Sequence, residues 1–234
     1  MIDFNGPYFL LIGGRRVTAE SRLDVVNPAT GAVFAQCPAA GATEVDAAVA
    51  AARTAFPAWR DLPATSRATY IEKCAAALLA YREQLARLLT QEQGKPLSQS
   101  LEEISRAGTL SVGLTKIRIE PEVLVDDAER HIELRYVPLG VAGIITPWNA
   151  PVNLAAGPLA SALYTGNCAI IKPSPFTPLT TLRIGEILGE ILPPGVLSVL
   201  AGGDELGAML TAHPGIDKIS FTGETETGKS ILRA

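Results

Sequence analysis

The sequence predicts an α/β protein: a parallel sheet with flanking helices, preceded by an N-terminal helical and strand segment and interrupted by a β-hairpin arm. Three observations carry this. From Gly140 onward, short apolar runs alternate regularly with amphipathic stretches, the pattern of a parallel sheet built from right-handed crossovers. The 36 residues from Tyr136 to Ile171 carry no charge, as expected of a strand and a helix buried on most sides. Between residues 117 and 139 the period is two instead, through IRIEPEVLV and HIELRYV, with Asp126-Asp127 between them, which reads as a two-stranded antiparallel arm.

Taken in order, the chain begins with short strands and turns (LLIGGRRV, then DVVNPATGAVFAQCP). An alanine-rich helix from Thr43 to Trp59 follows, with Glu44 and Asp46 in its first turn. A long helix is expected from Ser66 to Gln93, stopping at Gly94-Lys95-Pro96. The next is expected to begin at Ser100-Leu101-Glu102-Glu103, which has capping-box spacing. Beyond the arm, strands are expected at 141–146, 168–172, 196–200 and 218–222, and helices at about 152–165, 178–192, 204–212 and from about 225 to the end. This divides the chain into an N-terminal part (1–116), an arm (117–139) that should pair with later strands or another subunit, and a strand-helix core (140–234).

In an open parallel sheet, loops and helix N-termini converge outside the carboxyl ends of the strands, and ligands bind there. The four junctions are TPWN, KPSP, AGGD and FTGE. The first stiffens its backbone with prolines and offers an indole and an amide, the second offers a cation and a hydroxyl, and the last two offer glycines where a ligand can approach the main chain. Together they outline an elongated site with room for a dinucleotide.

Composition removes several classes. The uncharged run exceeds the roughly twenty residues a membrane helix needs, but Pro138, Pro147, Pro151 and Pro158 and three asparagines interrupt it, so no membrane span is expected. A net charge of −4 with scattered basic residues argues against a nucleic-acid surface. Cys37, Cys74 and Cys168 are odd in number and irregularly spaced, which suits reduced thiols; with no signal-peptide pattern at the start, a cytoplasmic address is expected. His131 and His213 stand apart, so no histidine metal site is expected.

No Gly-x-Gly-x-x-Gly occurs. Residues 223–230, GETETGKS, do fit the phosphate-loop pattern after a predicted strand, which on motif alone suggests a nucleoside triphosphatase. Glu224 and Glu226 would place carboxylates inside a phosphate cradle, and no later strand supplies a magnesium-binding acid.

Read together, NPATG (27–31), ELRYVPLGVAGIITPWNAP (133–151), GPLASALYTGNCAIIKPS (157–174), TP (177–178) and GIDKISFTGETETGK (215–229) resemble the aldehyde dehydrogenase superfamily, in order and at its spacing over nearly the whole chain. The resemblance implies a Rossmann-like core that binds NAD or NADP, an aldehyde substrate, and assembly into homo-dimers or tetramers through the arm. It makes Asn149 the side-chain half of an oxyanion hole, a role the chemistry asks for, since attack on a carbonyl creates an alkoxide that a preorganised amide donor stabilises. It places Pro147 and Trp148 along the dinucleotide path, Lys172 at the adenosine ribose, Gly203 and Gly207 under the adenine, and Phe221, Thr222 and Gly223 beside the pyrophosphate and nicotinamide half. Ile145, Thr146, Ser174, Pro175, Glu224 and Thr227 complete the cofactor set.

Two positions depart from the family pattern. Pro175 stands where many NAD-specific members have Glu, which leaves NAD and NADP both open, and Glu224 stands where Ser is usual, unfavourable near a pyrophosphate unless it turns to solvent. The family's cysteine nucleophile and glutamate base lie beyond the FTG turn, and the chain ends at Ala234. Cys168 falls in a buried strand, where packing is its expected role. The expectation is therefore an N-terminal half, a fragment supplying the cofactor site and Asn149 but not the nucleophile; the alternative is a non-catalytic dinucleotide-binding or subunit-pairing module.

Overall fold

The computed structural model describes residues 2–118 and 120–234. Its central sheet is mixed. Strands β7 (Val141–Ile145), β8 (Cys168–Lys172), β9 (Leu197–Val199) and β10 (Lys218–Phe221) run parallel, and a hairpin of β1 (Leu10–Ile12) and β2 (Arg15–Val17) joins antiparallel at one edge, giving the order β10-β7-β8-β9-β1-β2. The four parallel strands match the sequence expectation to within a residue or two at their ends. That the first strands of the chain extend the same sheet was not legible locally: Leu11 pairs with Val199, a contact set by the tertiary fold.

Burial explains the choice of strands. Every residue of β8 and β9 is buried and β7 is buried up to Ile145, as a sheet covered on both faces requires. Helix α1 (Ala42–Arg60) packs on β7, β8 and β9 together with α7 (Asp204–Ala212). The other face is covered by α5 (Pro151–Tyr164) and α6 (Leu179–Gly189), backed by α2 (Ala64–Ala80), α3 (Arg82–Gln93) and α4 (Leu97–Leu114). Helix α6 is buried from Leu179 to Leu188 on all sides, because β1, β9, α2, α3 and α5 surround it. The remaining elements are the hairpin β3 (Ser21–Asn27) and β4 (Ala32–Ala39), the arm β5 (Glu122–Asp126) and β6 (His131–Leu134), and the last helix α8 (Thr225–Arg233).

Three expectations are corrected. The helix read as continuous from Ser66 to Gln93 is two helices that meet at Tyr81 (φ −101°, ψ 14°). The segment favours helix throughout, but the break turns α3 toward α6 while α2 keeps its contacts with α4 and α5, and the Tyr81 ring lodges 5.8 Å from that of Phe4. The first long helix is capped at Gly41 and not at Thr43: the Gly41 N–H donates to Glu44 Oε2 at 2.7 Å. The helix expected to start at Ser100 starts at Leu97, so Ser100 is interior, its hydroxyl 2.8 Å from that of Thr90, and Glu103 is not part of a capping box on its own helix.

The arm forms as an antiparallel pair with a register shift between Val123 and Val125, and among the described residues its strands pair only with each other. Ile119, within its expected first strand, lies outside the described residues. No helix among the described residues is long and apolar enough to cross a membrane.

Candidate functional site

Strand order brings the four junctions to one edge of the sheet in the sequence FTGE, TPWN, KPSP, AGGD. Each is tied to the next by main-chain bonds just past the strand ends. Thr222 N–H donates to the Ile145 carbonyl at 3.2 Å, Thr146 N–H to that of Lys172 at 3.1 Å, and Leu200 N–H to that of Ile171 at 2.9 Å. With strands about 4.8 Å apart, the edge spans roughly 14 Å, an elongated platform and not a single-point pocket.

At the TPWN junction Ile145 is half-buried and Thr146 buried, its Oγ1 without a hydrogen-bond partner. Pro147 is partly exposed, and Trp148 is 53% exposed, so its indole is not core. Asn149 faces solvent with Oδ1 accepting the Ala150 N–H at 3.0 Å, which leaves the side-chain NH2 free to donate outward. Pro151 opens α5, its fixed φ suiting a first helical turn.

At KPSP, Lys172 is 4% exposed and its ammonium has one hydrogen bond, to the Pro173 carbonyl at 3.4 Å. Burial holds its pKa below the usual lysine range, and the Asp204 carboxylate opposes that shift. A buried cation with such thin coordination has donor capacity to spare. Ser174 is buried with Oγ accepting from Phe176 N–H at 3.3 Å, while Pro175 is partly exposed.

At AGGD, Gly203 is exposed and caps α7; a side chain there would meet open space. A Cβ at Gly207 would sit 3.8 Å from Lys172 Cε, so glycine keeps the surface above the lysine stem clear. At FTGE, Phe221 is half-buried, and a Cβ on Gly223 would fall 2.5 Å from its Cζ, so a side chain there would require the ring to shift. Thr222, Gly223, Glu224 and Thr227 are exposed. Glu224 caps α8 through its backbone alone, and its side chain makes no cap bond, so the first amides of that helix stay open.

The phosphate-loop match dissolves in this geometry. Helix α8 begins at Thr225, so most of GETETGKS is helical. Lys229 pairs with Glu226 at 2.7 Å and Ser230 Oγ donates to the Glu226 carbonyl. A lysine occupied one turn back along an exposed helix does not reach into a cradle of loop amides.

Two carboxylates and a lysine that the sequence did not flag support the site from behind. Glu103 Oε1 accepts the N–H of Val152 at 2.9 Å and of Asn153 at 3.2 Å, capping α5 from α4, and its Oε2 pairs with Lys95 Nζ. Lys95 Nζ also donates to the Asn149 carbonyl at 2.8 Å. Glu92, fully buried, accepts from Leu179 N–H at 2.7 Å and Thr180 N–H at 3.0 Å and so caps α6; burial pushes its carboxyl up to about 7. The local signals were GKP, legible as a helix stop, and a capping-box spacing that assigned Glu103 to its own helix. Each backbone group they hold lies some fifty residues or more away in sequence.

All three cysteines are buried and unbridged, and burial pushes the thiols of Cys37, Cys74 and Cys168 up to about 12. None sits at the strand-end edge as an available thiolate. Among the described residues no cluster of His, Cys, Asp or Glu could hold a metal ion.

Comparison with known proteins adds a lineage to this geometry. Residues 16–234 match the model of the aldehyde dehydrogenase family. A putative aldehyde dehydrogenase of Gibberella fujikuroi is 39% identical over 226 residues, covering 97% of this chain and 49% of that protein. PnpE from Pseudomonas sp. WBC-3, solved in complex with nicotinamide adenine dinucleotide, superposes with a TM-score of 0.93 at 37% identity over 97% of this chain and 48% of PnpE. An NADP-dependent enzyme of E. coli gives a TM-score of 0.93 at 35% identity, again over 97% of this chain and 49% of its own. The chain spans about half the length of the relatives it matches.

Proposed function

Because the chain belongs to the aldehyde dehydrogenase family, we propose that it supplies the NAD(P) site and the oxyanion-stabilising Asn149 for oxidation of an aldehyde to a carboxylic acid. The observation that carries this is the edge itself: four junctions in register, with a buried, thinly coordinated Lys172 and an exposed amide on Asn149 at the two neighbouring middle junctions.

The residues present fit a dinucleotide. Lys172 can donate to ribose hydroxyls, Gly207 leaves room above it, and the open first amides of α8 beside Thr222 and Gly223 can receive pyrophosphate oxygens. Ile145, Thr146, Pro147, Trp148, Ser174, Pro175, Gly203, Phe221, Glu224 and Thr227 complete the surface. The cofactor, when bound, supplies the hydride acceptor. Asn149 donates from its side-chain NH2 to the carbonyl oxygen as negative charge develops there, a contribution of about 2.7–4 kcal/mol in comparable oxyanion sites. Pro175 places no carboxylate against a 2′-phosphate, so we infer that NADP is accepted alongside NAD.

The nucleophile is not among Cys37, Cys74 and Cys168, whose burial disfavours the thiolate. We therefore expect the 234-residue chain to bind dinucleotide without turning over aldehyde. Assembly as homo-dimers or tetramers is supported by the exposed apolar side chains of the arm, among them Val123, Leu124, Ile132 and Leu134. A cytoplasmic address belongs to the same proposal, in keeping with three unbridged thiols.

Titration calorimetry with NAD and NADP tests the reading. Both should bind, and Lys172→Met should weaken each about tenfold or more, the loss of one charge-assisted hydrogen bond. Failure of both to bind overturns the dinucleotide site. Aldehyde-dependent reduction of NAD(P) by this chain alone would overturn the exclusion of its three cysteines.

A further inference from the structure

We propose that Lys95 and Glu103 are positioning residues that aim Asn149 by holding its main chain from the buried side. This rests on the oxyanion reading of Asn149 above.

Asn149 itself is exposed, and among the described residues its side chain is engaged only by the N–H of the next residue. An oxyanion donor must nevertheless be preorganised, because a donor that first has to be ordered forfeits much of its contribution. The order therefore has to come through the backbone. Lys95 Nζ donates to the Asn149 carbonyl at 2.8 Å, fixing the peptide that follows Asn149. Three and four residues on, Glu103 takes the first free amides of α5, those of Val152 and Asn153. The turn carrying the donor is thus gripped on both sides of Ala150, and the two gripping groups are bound to each other.

The grip is itself fixed. The Lys95 and Glu103 side chains are 11% and 5% exposed, and their elements are locked in different ways. Glu103 projects from the middle of α4, which packs on α2, α3 and α5. Lys95 follows Gly94, whose left-handed φ of 90° ends α3 and lets the chain reverse toward the junction; a Cβ there would come within 2.8 Å of Pro28. A buried ion pair is weak evidence for stability, since its desolvation cost offsets much of its attraction. Its three other hydrogen bonds here go to the turn that carries the donor and to the start of the helix that follows it. Geometry is what this pair supplies.

The test has two independent readouts. In the 15N-labelled chain, backbone order parameters at Trp148, Asn149 and Ala150 should be those of rigid backbone, about 0.85, and should fall toward about 0.6 in Lys95→Met. Lys95→Arg, which keeps a cation to donate, should restore them. Glu103→Gln should retain slow amide exchange at Val152 and Asn153, because its carbonyl still accepts, while Asn149 loosens. Unchanged order parameters in a folded Lys95→Met protein overturn the proposal; should that variant not fold, Glu103→Gln decides by the same measurement.

The second readout is a double-mutant cycle on kcat, made in a longer chain that carries these residues together with a cysteine nucleophile and oxidises aldehyde. Lys95→Met should lower kcat roughly ten- to hundredfold with KM for the dinucleotide within about twofold, as misplacing a reacting group does. Lys95→Met added to Asn149→Ala should cost almost nothing further. Fully additive losses overturn the positioning role and leave the oxyanion reading standing. Conversely, an Asn149→Ala enzyme with unchanged kcat overturns the oxyanion reading, and the order parameters then still report whether the grip exists.

Discussion

The four helices that follow the parallel strands fall into two pairs. Helices α5 and α6, behind TPWN and KPSP, begin inside the protein, and their first amides are taken by carboxylates from distant helices, Glu103 and Glu92. Helices α7 and α8, behind AGGD and FTGE, begin at exposed Gly203 and Glu224 with no side-chain cap. Burial follows the same division: α6 is buried on all sides, whereas no residue of α8 is buried. An N-terminus that is filled cannot receive a ligand anion, and one that is open can. The interior pair therefore backs the junctions that hold Asn149 and Lys172 without offering amides of its own, and the outer pair leaves its first amides open, where the proposed pyrophosphate contacts would fall.

The division is broken most severely by emptying one internal cap. Glu103→Ala leaves Lys95 as an uncompensated buried cation and two helix amides without acceptors, so a loss of about 3–5 kcal/mol is expected in urea unfolding. A loss below about 1 kcal/mol would show that water replaces the cap and that α5 is no more enclosed than α8.

Glu92 gives a smaller, pH-dependent effect. Its carboxyl titrates near 4.5 when unfolded and near 7 when folded, mainly through burial, although the two amide donors pull the other way. Between those values the native state binds more protons than the unfolded state. Its contribution is fully present below about pH 4.5 and is lost as pH rises through 7, a change on the order of 1–3 kcal/mol. Glu92→Gln, which accepts without titrating, should flatten this slope. Parallel slopes for the two proteins between those limits would place the ionisation elsewhere.

The same division marks what could be read from the chain. Strands β7 to β10 and the junctions after them were legible because buried parallel strands are apolar runs and the turns use Pro and Gly, both local signals. Glu92, Lys95 and Glu103 were not. The backbone groups they hold lie 49 to 88 residues away, and a helical glutamate that caps another helix looks locally like any other charged residue. Glu103 even imitated a capping box whose serine proved interior. The break at Tyr81 was hidden in the same way, since tertiary packing overrode a strong helical preference. At the outer pair the local signal misled in the opposite direction: GETETGKS carries a strong motif, set aside already on its two glutamates, whose geometry the chain does not adopt.

The smallest effect belongs at that outer edge. Lys229 and Glu226 form an i,i+3 pair whose side chains are 52% and 71% exposed on a helix with nothing buried. Such pairs contribute about 0.2–0.5 kcal/mol at most. Lys229→Ala should therefore leave the unfolding midpoint almost unmoved, and neither protein should release phosphate from ATP, because the lysine lies along the helix and not at the mouth of a loop. If the parent chain does hydrolyse ATP and Lys229→Ala abolishes it, α8 must unwind to form a phosphate cradle. The open N-terminus assigned here to a dinucleotide would then be serving a different nucleotide.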